Sequence, residues 1–210
     1  MEIKIHYQDQ DIIVVEKPSM LLSVPGRGKE KYDSVATRLQ QLFPEIGVVH
    51  RLDWETSGLM VFAIHKESLR HLNKQFMYRQ VKKEYQARVY GILEGKGEID
   101  VPMRCDWENR PRQIIDREQG KNAYTQWQNM STQFHMGEAI SHLKLIPKTG
   151  RSHQLRVHML HLKHPILGDP LYADQKALKM ADRMQLHATS LEFFHPQDNR
   201  EMKFKSICPF

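Results

Sequence analysis

The chain has only two cysteines in 210 residues, Cys105 and Cys208, far apart and in no CxxC arrangement. That excludes a disulfide scaffold and suits a reduced compartment. No stretch approaches the ~20 apolar residues of a membrane helix. The opening MEIKIHYQDQ has no apolar core of the kind a signal peptide carries, so no membrane association is expected and a cytoplasmic location is. Neither GxGxxG nor a P-loop occurs, which leaves a nucleotide cofactor without support, and HExxH is missing too. There is no low-complexity linker and no internal repeat. One compact domain over residues 1–210, undivided or in two lobes, is the simplest division. What is present is an ordinary globular composition with a basic excess, 31 Lys and Arg against 25 Asp and Glu. The net charge of +6 suits a polyanionic partner, or solubility alone.

The hydrophobic pattern alternates between strand and helix periods. IKIHY and IIVVEK read as a hairpin around QDQD. DSVATRLQQLF reads as a helix capped by Asp33 or Ser34, with Pro44 past its end. LMVFAIH is a buried strand by its continuous apolar run. KESLRHLNKQFMYRQ is a helix with Leu69, Leu72 and Phe76 on one face. KKEYQARVYG, GEIDVPM, NAYTQWQNM and AISHLKLI continue as strands. SHQLRVHMLHL is a helix and QLHATSLEFF a late strand. RCDWENRPRQIIDREQGK is the most loop-like insertion. Strands in runs with few helices between them predict an α+β protein with a largely antiparallel sheet.

Charge placed at the edge of such a core calls for an explanation. HRLDWETSG (His50–Gly58) sets Arg51 and Asp53 between two apolar runs. In an extended segment they point the same way. Thr56, Ser57 and Gly58 leave room above the carboxylate. Asp53 then reads as a nucleophile or base, or as half of a structural ion pair. In TGRSHQLRVH, Arg151 lies where a helix dipole disfavours a cation, which points to an anionic partner, either Asp53 or a substrate phosphate. Arg156, five residues on, points elsewhere, to phosphate or to solvent. Tyr85 sits on its strand beside Lys82 and Lys83, an arrangement for base stacking with phosphate contact, or plain core packing. His153, His158, His161 and His164 cluster without an acidic residue, a poor metal set.

Taken in order, HRLDWETSG, KKEY and TGRSHQLRVH resemble the active-site motifs of the RluA family of pseudouridine synthases. VVEKPSMLLSVPG, HPILGD (His164–Asp169) and LHA (Leu186–Ala188) resemble it as well, so the likeness covers nearly the whole chain. It implies the pseudouridine synthase fold, a mixed, mainly antiparallel sheet with flanking helices and a central RNA-binding cleft. The pattern is nearest to the small member that modifies both 23S ribosomal RNA and transfer RNA. It begins almost at residue 6, so the S4-like domain that other members carry in front is not expected. By position, the resemblance makes Asp53 the essential aspartate and Arg51 the arginine that fills the stack when the uridine leaves it. Tyr85 becomes the ring that packs on uracil, Arg151 the basic partner of the aspartate, and Leu155 an apolar wall. Arg156, Lys82 and Lys83, read from residue type and position alone, are expected as further substrate contacts. The isomerisation involves no redox change and no external group, so no cofactor and no metal are implied. A monomer acting on RNA hairpin loops is expected. Whether Asp53 attacks the substrate or removes the C2′ proton stays open. The rival readings are a hydrolytic nucleobase glycosylase, which would release uracil, and a non-catalytic RNA-binding module.

Overall fold

The computed structural model describes residues 2–210, which gather into two compact units. The first runs up to Lys83 and takes in Ala188–Pro209; the second is Glu84–His187 with Phe210. The α+β class is as expected, and the strand pairings whose register is given below are antiparallel.

In the first unit, β1 (Lys4–Gln8) and β2 (Ile12–Lys17) form the expected hairpin. Its turn is held by Asp9, whose Oδ1 accepts the amides of Asp11 and Ile12, both at 2.9 Å. β2 pairs along its length with β4 (Ser57–Ala63), from Ile12 opposite Ala63 to Lys17 opposite Gly58. The short β3 (Gly47–Val48) meets the far end of β4, and β11 (Leu186–Phe194) pairs with β12 (Glu201–Lys205). Ile12 to Val15 are fully buried and Leu59 to Ala63 nearly so. Both runs are apolar without alternation because both faces are covered.

α1 (Val35–Gln40) starts at Ser34, one of the two caps expected. Ser34 and Thr37 make a reciprocal capping box. This helix ends short of the predicted Phe43. α2 (Lys66–Met77) presents Leu69, Leu72 and Phe76 to Ile12, Val14, Leu59 and Val61, as its 3.6-residue period requires.

The second unit is built on β5 (Lys82–Tyr90), β6 (Lys96–Asp100), β9 (Tyr124–His135) and β10 (Glu138–Pro147), in the sheet order β5-β10-β9-β6. β9 and β10 form one long hairpin. It turns at Met136 and Gly137, both with φ positive (50° and 79°), a geometry that suits glycine and is unusual for methionine. The segment expected to be loop contains a small hairpin of its own, β7 (Met103–Cys105) with β8 (Gln113–Ile115). α3 (Gln154–His161) packs Leu155 and Met159 onto Ala87, Val89, Leu143 and Leu145. α4 (Gln175–Lys179), like β12, has no counterpart in the sequence reading. Cys105 and Cys208 are free thiols.

Arg156 requires a correction. It was expected to meet phosphate or solvent, but its side chain is completely buried on α3. Its Nε and Nη2 each donate at 2.7 Å to the carboxylate of Asp169, which is equally buried. Asp169 also accepts the amides of Leu171 and Tyr172. The residue of HPILGD with the widest set of bonds is therefore an internal counter-ion, and the pair fixes the chain after α3.

One glycine is demanded by close approach. Gly58, second in β4, has φ at 117°, and a Cβ there would run into the backbone of Ala188. Gly58→Ala should therefore cost more than about 2 kcal/mol of stability. A change of less than about 0.5 kcal/mol in urea unfolding would show that the strand tolerates a side chain there.

Candidate active site

The loop between β3 and β4 carries Arg51 and Asp53. Leu52, between them, is buried; Arg51 is exposed and Asp53 half-buried. The flanks of Asp53 are tied from both sides. The hydroxyl of Ser23 donates to the carbonyl of Leu52 (2.7 Å) and accepts its amide (3.0 Å). The buried ammonium of Lys17 donates to the carbonyl of Trp54 at 3.1 Å, and also to those of Leu21 (2.7 Å) and Pro18 (2.9 Å). Ser19 donates to the carbonyl of Glu55 at 2.6 Å, and the amide of Thr56 returns to the carbonyl of Asp53 at 3.2 Å. The Thr56 hydroxyl is buried with no hydrogen-bond partner among the described residues.

His50 anchors the start of this loop. Its Nε2 accepts the amide of Val61 on β4 at 3.1 Å, just past the point where β3 stops pairing. The ring stacks on Phe76 of α2, with centroids 4.9 Å apart. Burial, and after it the nearby charge of Lys83, hold its pKa down to about 3. The imidazole is thus a fixed neutral acceptor.

The two lysines read together as phosphate contacts separate. Lys82 is exposed, with its ammonium 3.6 Å from the carboxylate of Glu192. The Lys83 ammonium lies 6.0 Å from the centre of the Phe76 ring, and burial lowers its pKa.

In the second unit Tyr85 and Leu155 come together. Both pack in the cluster formed by Ala87, Val89, Leu143 and Leu145, with Tyr85 opposite Leu145 across the strands. Arg151 is exposed in the turn before α3, and its Nε donates to the carbonyl of Asn122 at 3.0 Å. The turn is tied by buried Gln154. Its Oε1 accepts the Arg151 amide (3.0 Å) and the Thr149 hydroxyl (2.7 Å), while its Nε2 donates to the Tyr124 carbonyl (3.0 Å). His153 caps α3 in the left-handed region, φ 53°, without a side-chain capping bond. Its Nδ1 meets the Tyr172 hydroxyl at 2.8 Å instead.

The histidines of α3 do not act as one set. His158 bonds Thr125 through Nδ1, and burial pushes its pKa down to about 4; the Nδ1 of His164 donates to the Tyr90 carbonyl. One other group, in the first unit, has ligand-type spacing. Ligand atoms of Asp9, Asp11 and His195 lie within 4.8 Å of one another. Asp9 already takes the Tyr7 hydroxyl, two amides and His195, and Asp11 takes His65 and the Ser68 hydroxyl. The cluster serves as a structural knot of internal hydrogen bonds.

Four residues around the Asp53 loop have no counterpart in the sequence reading, and neither has Gln154 in the turn before α3. Lys17, Ser19 and Ser23 lie in VVEKPSMLLSVPG, whose likeness to the family says nothing of their bonds, and His50 stands beside the more conspicuous Arg51. A lysine closing an otherwise buried strand was the available signal.

The chain belongs to the RNA pseudouridylate synthase family, whose model matches residues 11–161, and lies in its RluA branch. It is 51% identical over 205 residues to "Dual-specificity RNA pseudouridine synthase RluA" of Yersinia pestis, covering 97% of this chain and 98% of that one. The protein of the same name in Escherichia coli (strain K12) is 48% identical over 205 residues, 97% and 92% of the two chains. Among solved structures, "Human RNA Pseudouridylate Synthase Domain Containing 1" superposes with a TM-score of 0.83 at 29% identity, covering all of this chain and 84% of that one. "Human RNA Pseudouridylate Synthase Domain Containing 4" gives 0.75 at 26% identity, over 98% and 88%. The chain is therefore an isomerase that converts uridine in RNA to pseudouridine.

His50 makes the fold acid-sensitive in a defined window. The folded state keeps it neutral, whereas the unfolded chain takes up a proton near pH 6.5. Stability is then lost as the pH falls from about 6.5 towards 3, by up to about 1.4 kcal/mol per pH unit from this one group. His50→Asn should lessen that loss in urea unfolding series between pH 6.5 and 4, leaving the share of His158. An unchanged slope would refute the assignment.

Proposed function

We propose that the chain acts on uridines in hairpin loops of two RNA classes, 23S ribosomal RNA and the transfer RNA anticodon stem-loop. The observation that carries this reading is the identity of about 50%, over nearly the whole chain, to relatives named as dual-specificity enzymes. The net charge of +6 suits a polyanionic substrate. Loop bases are also cheaper to extrude than paired ones, which favours hairpin loops. The chain is read as one catalytic domain, working as a monomer in the cytoplasm. No helix among the described residues is long and apolar enough to cross a membrane.

The roles follow the chemistry. The N1–C1′ bond of uridine breaks, the uracil turns, and C5 bonds to C1′, with the C5 proton released to solvent and one proton returned at N1. Atoms and oxidation state balance without a cofactor. Extruding the base costs a few kcal/mol. Arg51, exposed on its loop, is proposed to fill the vacancy, since a planar guanidinium stacks where a base has left. Asp53 is the proposed catalytic carboxylate. Its half-buried position, with both neighbours tied by Ser23 and Lys17, supports that role. Arg151 is proposed as the basic residue of the site, as the motif resemblance implies. Tyr85, backed by the Leu155 cluster, offers its ring to hold free uracil between cleavage and rejoining. Lys82 is left as a phosphate contact, and Lys83 as a partly desolvated cation.

Asp53→Asn keeps the shape of the carboxylate and loses its charge. Turnover of RNA carrying 5-tritiated uridine should fall below detection while RNA affinity stays within a few-fold. Appreciable tritium release by the variant would remove Asp53 from the chemistry.

Mapping pseudouridine in total RNA from cells with and without the gene tests the substrate. The mark should vanish from hairpin loops of both RNA classes. Loss from one class only would reject dual specificity, and loss from long duplexes would reject the hairpin reading as well.

A further inference from the structure

The side chain of Thr56, the residue just before β4, has a hydroxyl for which the fold provides no partner. Thr56 is 2% exposed, and its Oγ1 is buried without a hydrogen bond to any described residue. A buried hydroxyl left unpaired destabilises the chain, and a valine of the same shape would avoid that loss. The backbone acceptors of the four preceding residues are engaged elsewhere. The Leu52 carbonyl takes the Ser23 hydroxyl, and the Glu55 carbonyl takes the Ser19 hydroxyl. The Trp54 carbonyl takes the Lys17 ammonium and, at 2.8 Å, the Met20 amide. The Asp53 carbonyl takes the amide of Thr56 itself at 3.2 Å.

That last bond closes a turn from Asp53 to Thr56. A turn of this kind holds its first and fourth Cα atoms within about 7 Å of each other. At that separation, rotation about χ1 brings a carboxylate and a hydroxyl within hydrogen-bond reach. Asp53 is half-buried and Thr56 fully so, so a carboxylate that turns towards this hydroxyl turns away from water. Lys17, Ser19 and Ser23 all direct their donors at the loop backbone, whereas Thr56 directs its hydroxyl at none of it.

We propose that Thr56 is a positioning residue for the isomerisation. Its hydroxyl donates to the Asp53 carboxylate as that carboxylate engages the extruded uridine, and the bond fixes the reactive rotamer. A neutral donor unpaired in the free chain then gains a charged acceptor, and such bonds are stronger than neutral ones. An interaction completed only on the way to the transition state raises the rate without tightening binding. The inference rests on the reading of Asp53 as the catalytic carboxylate.

Two measurements on the intact chain test it together: urea unfolding without RNA, and single-turnover tritium release from RNA carrying 5-tritiated uridine, with enzyme concentration varied. Thr56→Val keeps the shape and removes the hydroxyl. It should raise the folded-to-unfolded ratio about fivefold and lower the maximal rate about tenfold. The half-saturating enzyme concentration should stay within about twofold, since only the chemical step is affected. Thr56→Ser keeps the hydroxyl and loses a buried methyl. It should unfold at lower urea than the unmodified chain, yet keep its maximal rate within about threefold. A merely structural role would tie rate to stability and reverse that order. If Thr56→Val does not fold, Thr56→Ala against Thr56→Ser isolates the hydroxyl, and Ala should be about tenfold the slower. A Val variant as fast as the unmodified chain overturns the proposal. So does one that is slower but less stable, because the hydroxyl then already had a partner in the free chain. Asp53→Asn, run alongside, separates the two readings. If it is inactive while Thr56→Val is fully active, only the positioning role falls. If it releases tritium, the reading of Asp53 fails and takes this inference with it.

Discussion

The ammonium of Lys17 has no contact with water, and the loop that carries Asp53 depends on it. Taking such a charge out of water costs several kcal/mol unless directed hydrogen bonds replace the lost hydration. Carbonyls of Pro18, Leu21 and Trp54 supply that replacement, and only from fixed positions. Once Lys17 is buried at the end of β2, the Trp54 carbonyl has little freedom. Ser23 constrains Leu52 from the other side through both of its backbone groups. Asp53 is thus held between two restrained neighbours on a segment that belongs to no strand or helix. A reacting carboxylate has to be placed to within a fraction of an ångström, and a bare loop does not do that by itself.

The second unit solves the same problem with a neutral side chain. Gln154 accepts the Arg151 amide and the Thr149 hydroxyl while donating to the Tyr124 carbonyl. It links the turn before α3 to the start of β9. His153 adopts a left-handed backbone at the helix start, which costs about 1 kcal/mol for a residue other than glycine. The Tyr172 hydroxyl holds it there. Arg151 therefore projects from a turn with little backbone freedom, although its own side chain is exposed.

The sequence made the elements legible where one physical rule dominated. Continuous apolar runs marked β2 and β4, and the spacing of Leu69, Leu72 and Phe76 marked α2 with the face it buries. Legibility failed where the deciding contact lay far away in the chain. β9 continues to His135 through exposed polar residues because β10 pairs with it there, and Met136 gives no turn signal of the kind glycine or asparagine would. The same holds for the site. Arg51, Asp53 and Arg151 stood out as charges beside a core. The residues that fix their backbone, Ser23 and Gln154, are small or neutral and carry no local signature.

Arg156 and Arg110 show why charge alone could not be sorted from sequence. Five residues separate Arg151 from Arg156, which turns Arg156 away on any helix, but the direction does not say what waits there. A buried Asp169 does, and it converts a residue with every formal qualification for phosphate into a structural one. Arg110 lies beside Glu108 and near Asp106, where sequence suggests neutralisation. Yet Asp106 turns to Asn109, and the guanidinium rests on Trp107. A cation that has passed over nearby carboxylates for an aromatic face keeps its charge unneutralised, and the +6 of this chain is informative only after that division is made.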